Sequence, residues 1–265
     1  TGFVLSEEEI TVAIGAVDEV VEIELVNYFI KGNIELTKVD KDYPDNKLTG
    51  AEFEVYADTN GDGKLDSGDK LLGTMTELDG GVYQMKELRY GKYLVREKTA
   101  PTGFVLDENV YSVFIEENGK TYIVENEAGV GFVNAAQKGS LKIVKTSSDG
   151  KVEGFSFRVT GANGYDQTFK TDKNGEIYIE GLRIGEYTVS EVNDSVSAGY
   201  ILPADKQATV KVGATTIVEM HNELRDTPKT GDDFNLALWV SLAAASVIGA
   251  GVLGFVGFKK KKKED

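Results

Sequence analysis

The segment Gly91-Lys-Tyr-Leu-Val-Arg-Glu97 recurs as Gly185-Glu-Tyr-Thr-Val-Ser-Glu191, and this repetition constrains the fold more than any other feature. Recurrence of a box at a fixed place marks tandem copies of one structural unit. Two more pairs keep the same order: Lys31-Gly-Asn-Ile-Glu-Leu-Thr-Lys38 with Lys138-Gly-Ser-Leu-Lys-Ile-Val-Lys145, and Thr102-Gly-Phe-Val-Leu106 with Thr1-Gly-Phe-Val-Leu5. These boxes, with Phe53-Glu-Val-Tyr, Tyr111-Ser-Val-Phe-Ile and Tyr122-Ile-Val, alternate or are rich in β-branched and aromatic residues. Gly, Asp and Asn turns bound them, so residues 1–224 read as short strands in an all-β chain of tandem sandwiches. The repeats predict one unit at 31–136, a second at 137–224, and the tail of a third at 1–30. The chain opens on Thr1 rather than methionine, and the expectation is a piece of a longer exported protein. Cysteine is absent, so disulfides do not staple these units.

Along a strand, alternate residues share a face. Ile34, Leu36 and Lys38 therefore form one stripe, as do Leu141, Ile143 and Lys145. Glu97 follows Tyr93 and Val95, and Glu191 follows Tyr187 and Val189. Asn134 follows Phe132, and Asn222 follows Val218 and Met220. In the first segment, Val21, Ile23, Leu25 and Asn27 repeat the pattern. Each polar residue thus continues an apolar face and is expected inside.

An unpaired buried charge is costly. Burial lowers a lysine pKa and raises a glutamate pKa. A neutral amine is a nucleophile, a protonated carboxyl donates a hydrogen bond and shuttles a proton, and an asparagine amide carries ammonia as leaving group. Together they can form a Lys–Asn isopeptide bond without a separate enzyme.

The repeats resemble the B-type domains of collagen adhesins, the prealbumin-like domains of Gram-positive pilins. The resemblance rests on Tyr93-Leu-Val-Arg-Glu97-Lys-Thr-Ala-Pro101-Thr-Gly-Phe104, on Lys38-Val-Asp40 and on Phe132-Val-Asn134. It implies tandem prealbumin-like, immunoglobulin-like sandwiches, with Lys38 joined to Asn134 and Glu97 catalytic. For the last repeat it implies Lys145, Asn222 and Glu191, although Ala-Pro does not follow Glu191. The spacing from Glu191 to Asn222 places any glutamate partner of Asn27 before Thr1. No enzymatic turnover is expected beyond this self-linking, and no cofactor is required.

Asp58-Thr-Asn60-Gly-Asp62-Gly63-Lys64-Leu-Asp66-Ser-Gly-Asp69 fits the twelve-residue calcium-loop pattern. Asp58, Asn60, Asp62, Asp66 and Asp69 supply side-chain oxygens, and Lys64 a carbonyl. Lys38 to Glu97 spans 59 residues against 46 from Lys145 to Glu191, so the loop reads as an insertion between two strands. Calcium is the expected ion.

Thr227-Pro228-Lys229-Thr230-Gly231 precedes an apolar run at 234–258 and five lysines at 259–263. The run is long enough, as a helix, for a hydrocarbon core about 30 Å thick. The lysines are expected to stay cytoplasmic in the tail 259–265. With the linker at 225–233, this resembles a sortase cell-wall sorting signal, with Thr227 where leucine is usual. The resemblance implies cleavage between Thr230 and Gly231, covalent attachment to peptidoglycan through Thr230, and a transiently membrane-inserted precursor. Trp239 falls near the outer end of the span, as an interface anchor does.

The formal charge is −15, and −18 without the last seven residues. Such an acidic chain does not suit nucleic acid. The lone His221 alternates with the inward Asn222 and is expected to face solvent. Tyr43-Pro44 reads as a turn. The leading functional expectation is a wall-anchored stalk at the cell surface, displaying an upstream region that binds a host or matrix ligand. A pilin subunit polymerised by a sortase and the anchoring tail of a surface enzyme are the alternatives.

Overall fold

The computed structural model describes residues 2–225, which form two β-sandwiches and contain no α-helix. The sorting motif at 227–231, the apolar run with Trp239 and the lysine tail lie outside the described residues.

The middle unit uses β1 (Lys31–Asp40), β2 (Glu52–Ala57), β3 (Lys70–Thr74), β4 (Thr76–Leu78), β5 (Val82–Arg89), β6 (Gly91–Thr99), β7 (Val110–Ile115), β8 (Thr121–Ile123) and β9 (Phe132–Asn134). One sheet runs β4-β5-β1-β8, with β9 also pairing β1, and the other runs β3-β2-β6-β7. The last unit uses β10 (Lys138–Ser147), β11 (Ser156–Gly161), β12 (Tyr165–Lys170), β13 (Glu176–Arg183), β14 (Gly185–Glu191), β15 (Tyr200–Ile201), β16 (Lys206–Val210) and β17 (Thr215–Leu224). Its sheets run β13-β10-β17-β15 and β12-β11-β14-β16.

Each sandwich closes its own core, as period-2 strands with one apolar face require. Ile34, Leu36, Phe53, Val55, Tyr83, Val95, Ile115 and Phe132 fill the first; Leu141, Ile143, Phe155, Phe157, Tyr187, Val189, Val218 and Met220 fill the second. The first strand of each unit has a glycine as its second residue, beside a bulge, at Gly32/Ile34 and Gly139/Leu141. A Cβ on Gly139 would stand 2.1 Å from the Lys211 carbonyl oxygen, so only glycine lets the chain enter the sheet there.

The decisive topological fact is that the first and last strands run parallel. Lys38 pairs with Phe132 and Asp40 with Asn134; Lys145 pairs with Met220 and Ser147 with Asn222.

Residues 4–28 carry no strand, although the alternation at 21–27 predicts one. Val20, Leu25 and Tyr28 are exposed, and only Phe3 and Phe29 bridge. An apolar face is held in a strand only by a sheet to pair with and a core to cover it. Among the described residues no neighbour supplies either.

Candidate cross-linking sites

In both units the lysine and the asparagine stand on one face of adjacent parallel strands, two residues apart in register. That diagonal is within reach of a long side chain. The glutamate comes from the opposite sheet, and its register is also shared. Glu97 pairs with Phe53, and Glu191 with Phe157. The period of two therefore delivers three polar groups from three strands to one buried point, twice.

Lys38, Glu97 and Asn134 are buried, as are Lys145 and Asn222, while Glu191 is half-buried. The Asn134 amide nitrogen donates to both carboxyl oxygens of Glu97, at 2.9 Å each. The Lys38 Nζ donates to the Phe132 carbonyl at 2.9 Å and lies 5.6 Å from the Phe132 ring centroid. Burial pulls the Lys38 pKa down to about 8, against the attraction of Glu97. Burial pushes the Glu97 carboxyl up, against the Asp107 amide and Asn134 hydrogen bonds. Burial thus favours the neutral form of each group, the direction that frees the amine.

The last unit repeats the arrangement with fewer supports. Asn222 Nδ2 donates to Glu191 Oε1 at 2.6 Å, and Lys145 lies 4.5 Å from the Phe155 centroid. Burial lowers the Lys145 pKa and raises that of Glu191. Glu191 Oε2 has no partner, whereas Glu97 Oε2 also accepts the Asp107 backbone N–H at 2.8 Å.

In both units the asparagine Oδ1 is buried without a donor. A buried unpaired acceptor costs about 1–3 kcal/mol and calls for an explanation. A carboxylate offers only acceptors, but a carboxylic acid offers a donor. Were the glutamate protonated, rotation of the amide about χ2 would bring Oδ1 to that donor and polarise the carbonyl for attack by the amine.

A clamp that no sequence signal announces holds the middle site. The last strand of that unit is interrupted between β8 and β9. Across the gap Asn126 pairs with the Val133 backbone, Oδ1 accepting at 2.6 Å and Nδ2 donating at 2.9 Å. The same Nδ2 donates to Asp107 Oδ2 at 2.7 Å, and Tyr111 donates to that carboxylate at 2.6 Å. Asp107 thereby ties the Glu97 carboxyl to the strand that carries Asn134. In the last unit β17 is continuous and needs no such tie. The better-supported middle site is expected to cross-link first. Followed from cell-free synthesis, as it folds for the first time, the chain should lose the mass of one ammonia before a second, and Asn126→Ala should reverse or abolish that order.

The acidic loop 58–69 lies between β2 and β3. Asp58 accepts from the amides of Gly61 and Gly63 at 2.7 and 3.1 Å, and Asp62 from Lys64 at 2.8 Å. Asn60 donates to Asp66 at 3.1 Å, and Asp69 accepts from Thr59 and Asp66 at 3.1 and 2.9 Å. The loop's own amides therefore occupy its carboxylates, and among the described residues no three acidic or histidine side chains converge as metal ligands. His221 is exposed and meets Thr146 and Glu223.

The sequence matches the family of SpaA prealbumin-like fold domains over residues 32–128 and 139–224. Among solved structures it is similar to the Bacillus anthracis TIE protein, at 26% identity and a TM-score of 0.65. That similarity covers 84% of this chain and 40% of the TIE chain, so the chain spans about two fifths of that relative's length. GBS52, the minor pilin of Streptococcus agalactiae, aligns at 17% identity and a TM-score of 0.34, over 76% of this chain and 99% of its own. The pilus adhesin SpaC of Lactobacillus rhamnosus GG, as a C-terminal fragment, aligns at 14% identity and a TM-score of 0.45, over 74% and 97%. No curated protein matches in sequence.

Proposed function

Because this chain belongs to the family of SpaA prealbumin-like fold domains, a structural and non-enzymatic fold, we propose that it is a self-cross-linking stalk of a Gram-positive surface protein. In each unit the neutral lysine amine attacks the asparagine Cγ. A C–N bond forms to Nζ, the bond to Nδ2 breaks, and ammonia leaves. The glutamic acid protonates Oδ1, and as the carboxylate it takes the amine proton, passes it to the departing nitrogen and recovers its own from Oδ1 as the carbonyl re-forms. The observation that carries this reading is the recurrence of one buried Lys–Glu–Asn geometry, with the same register in two domains whose sequences differ around it. Intact-mass measurement tests it. The expected mass is lower than the sequence sum by two ammonia molecules, and a mass equal to that sum overturns the reading.

The sorting-signal resemblance at Thr227, Pro228, Lys229, Thr230 and Gly231 supports export, cleavage by a sortase and attachment to peptidoglycan through Thr230. The two-domain stalk then stands between the wall and whatever precedes residue 1. A pilin role is supported by the fold's kinship and is distinguished by covalent multimers on denaturing gels of wall extracts.

The loop at 58–69 is proposed to take calcium. The Asp58 contacts with the amides of Gly61 and Gly63 already set the tight turn such a loop needs. Extracellular modules of this type bind at about 0.1–1 mM. Calcium at ten to a hundred times the dissociation constant is then expected to stabilise the middle unit by about 1.4–2.7 kcal/mol. Calorimetry checks this, and no heat or stabilisation at millimolar calcium removes the claim.

A further inference from the structure

Arg183 ends β13 in the last unit, yet its guanidinium lies in the middle one. It makes a two-pronged contact with Asp40, from Nη1 to Oδ2 at 2.5 Å and from Nη2 to Oδ1 at 2.8 Å, and Nη2 also reaches Asp42 at 3.0 Å. The guanidinium lies 4.9 Å from the Tyr43 ring centroid and 5.9 Å from that of Phe104. Lys138 adds a second ion pair to Asp42 at 3.1 Å. The Arg183 and Asp40 side chains are 13% and 3% exposed, so this is not a solvated surface pair. Arginine suits such a place because its planar fork matches a carboxylate and stacks on rings. Burial pushes the Asp40 carboxyl up, but the Arg183 and Asp42 hydrogen bonds outweigh it and hold the group below its ordinary value.

The same half-joint appears a second time. Arg89 and Arg183 pair with the first residue of the first strand in their units, Lys31 and Lys138. Their carbonyls accept from Tyr93 and Tyr187 at 2.6 and 2.9 Å. The floor beneath each arginine is built alike. Phe3 bridges Phe29 as Phe104 bridges Ala136. The Ile30 amide donates to Gly2 as that of Gln137 donates to Gly103, and the Tyr90 amide donates to Ile30 as that of Ile184 donates to Gln137. Arg89 lies 4.1 Å from the Phe29 ring centroid, and among the described residues it has no carboxylate partner. Residues 2–4 and 28–30 thus reproduce the floor of the joint on the far side of the middle unit, without its acidic wall.

We infer that the acidic socket of one unit, formed by Asp40, Asp42, Tyr43 and Phe104, is a docking site for the hairpin arginine of the next. Arg183 fills it here, which fixes the angle between the two sandwiches. By the same inference, the Arg89 face is shaped for a preceding unit that presents a carboxylate pair where the middle unit presents Asp40 and Asp42.

The chain has no cysteine, so paired cysteines at the exposed positions Lys86 and Gln207 can carry spin labels cleanly. In the full chain, pulsed electron resonance is expected to give one narrow distance distribution between them. That distribution should persist in about 1 M salt, which collapses the screening length to about 3 Å but acts little on a buried pair. Arg183→Ala should at least roughly double its width, since loosely held domains move by default. Arg183→Lys should widen it too, because a point charge cannot span both carboxylate oxygens. Arg89→Ala should leave it unchanged. Should Arg183→Ala lower the melting temperature of either unit, the exposed pair Asp42→Asn with Lys138→Ala provides a milder widening. A broad distribution in the parent chain, or one as narrow in Arg183→Ala as in the parent, overturns the inference.

Discussion

Replacing Glu97 with alanine is expected to leave Lys38 and Asn134 unjoined and to remove one ammonia-equivalent of mass loss, while the last unit keeps its own. The stability effect is large because of where the bond would fall. It closes nearly the whole middle unit into one loop, residues 39–133. By the chain-entropy argument applied to covalent cross-links, a loop of about 100 residues is worth roughly 4.7 kcal/mol. For a domain of this size that corresponds to a fall in melting temperature on the order of 20 °C. The variant also leaves the Lys38 amine buried without the carboxyl that faces it, which adds to the loss. Calorimetry and intact mass on the same sample check the prediction. A Glu97→Ala chain that still loses the full ammonia mass removes Glu97 from the chemistry.

A second expectation concerns pH and needs the uncross-linked state. In Asn134→Ala the Lys38 amine persists and titrates. Its pKa when folded is about 8, against 10.5 ordinarily, with burial the main cause. A lysine whose folded pKa is depressed destabilises the fold wherever the unfolded chain holds the extra proton. The penalty is therefore full below about pH 8, fades as pH rises from there toward 10.5, and is absent above. The shift amounts to on the order of 3 kcal/mol of stability regained across that window. Tyrosines titrate there too, so the reference is Asn134→Ala with Lys38→Met, and the difference between the two is the lysine's own contribution. If the proposed bond is made in the parent chain, the Lys38 nitrogen is an amide that titrates nowhere, and the same subtraction should give a flat line. A sloping difference in the parent chain means that Lys38 is still free.

What could be read from the residues, and what could not, divides along a physical line. Lys38, Glu97 and Asn134 were legible because a strand of period two reports which face a residue takes, and each continues an apolar stripe. The all-β fold followed from the same signal. The stretch at 21–27 shows its limit, since alternation is necessary for a half-buried strand but does not supply the sheet that holds it. Asn126 and Asp107 were illegible because they work where the strand is broken, by side chains that replace a ladder. Arg183 and Asp40 lie far apart in sequence, and nothing local announces that they meet. Tyr43 read correctly as a turn, but its ring has a second use under the guanidinium. The acidic loop was recognisable as a loop, while the convergence of its ligands is not a property that spacing alone determines.

The parallel pairing of first and last strands has a mechanical consequence. Tension enters the middle unit at Lys31 and leaves after Asn134, so it pulls β1 and β9 lengthwise past each other. With both bonds made, the load runs from Lys31 to Lys38, across to Asn134, on to Lys145, across to Asn222 and out at Arg225. Residues 39–133 and 146–221 lie off that route. At about 3.5 Å per extended residue, on the order of 600 Å of chain is withheld from extension. The Arg183–Asp40 joint is also off the covalent route. A pull can therefore open it and let the sandwiches reorient without unfolding either. It can then close again when the load falls.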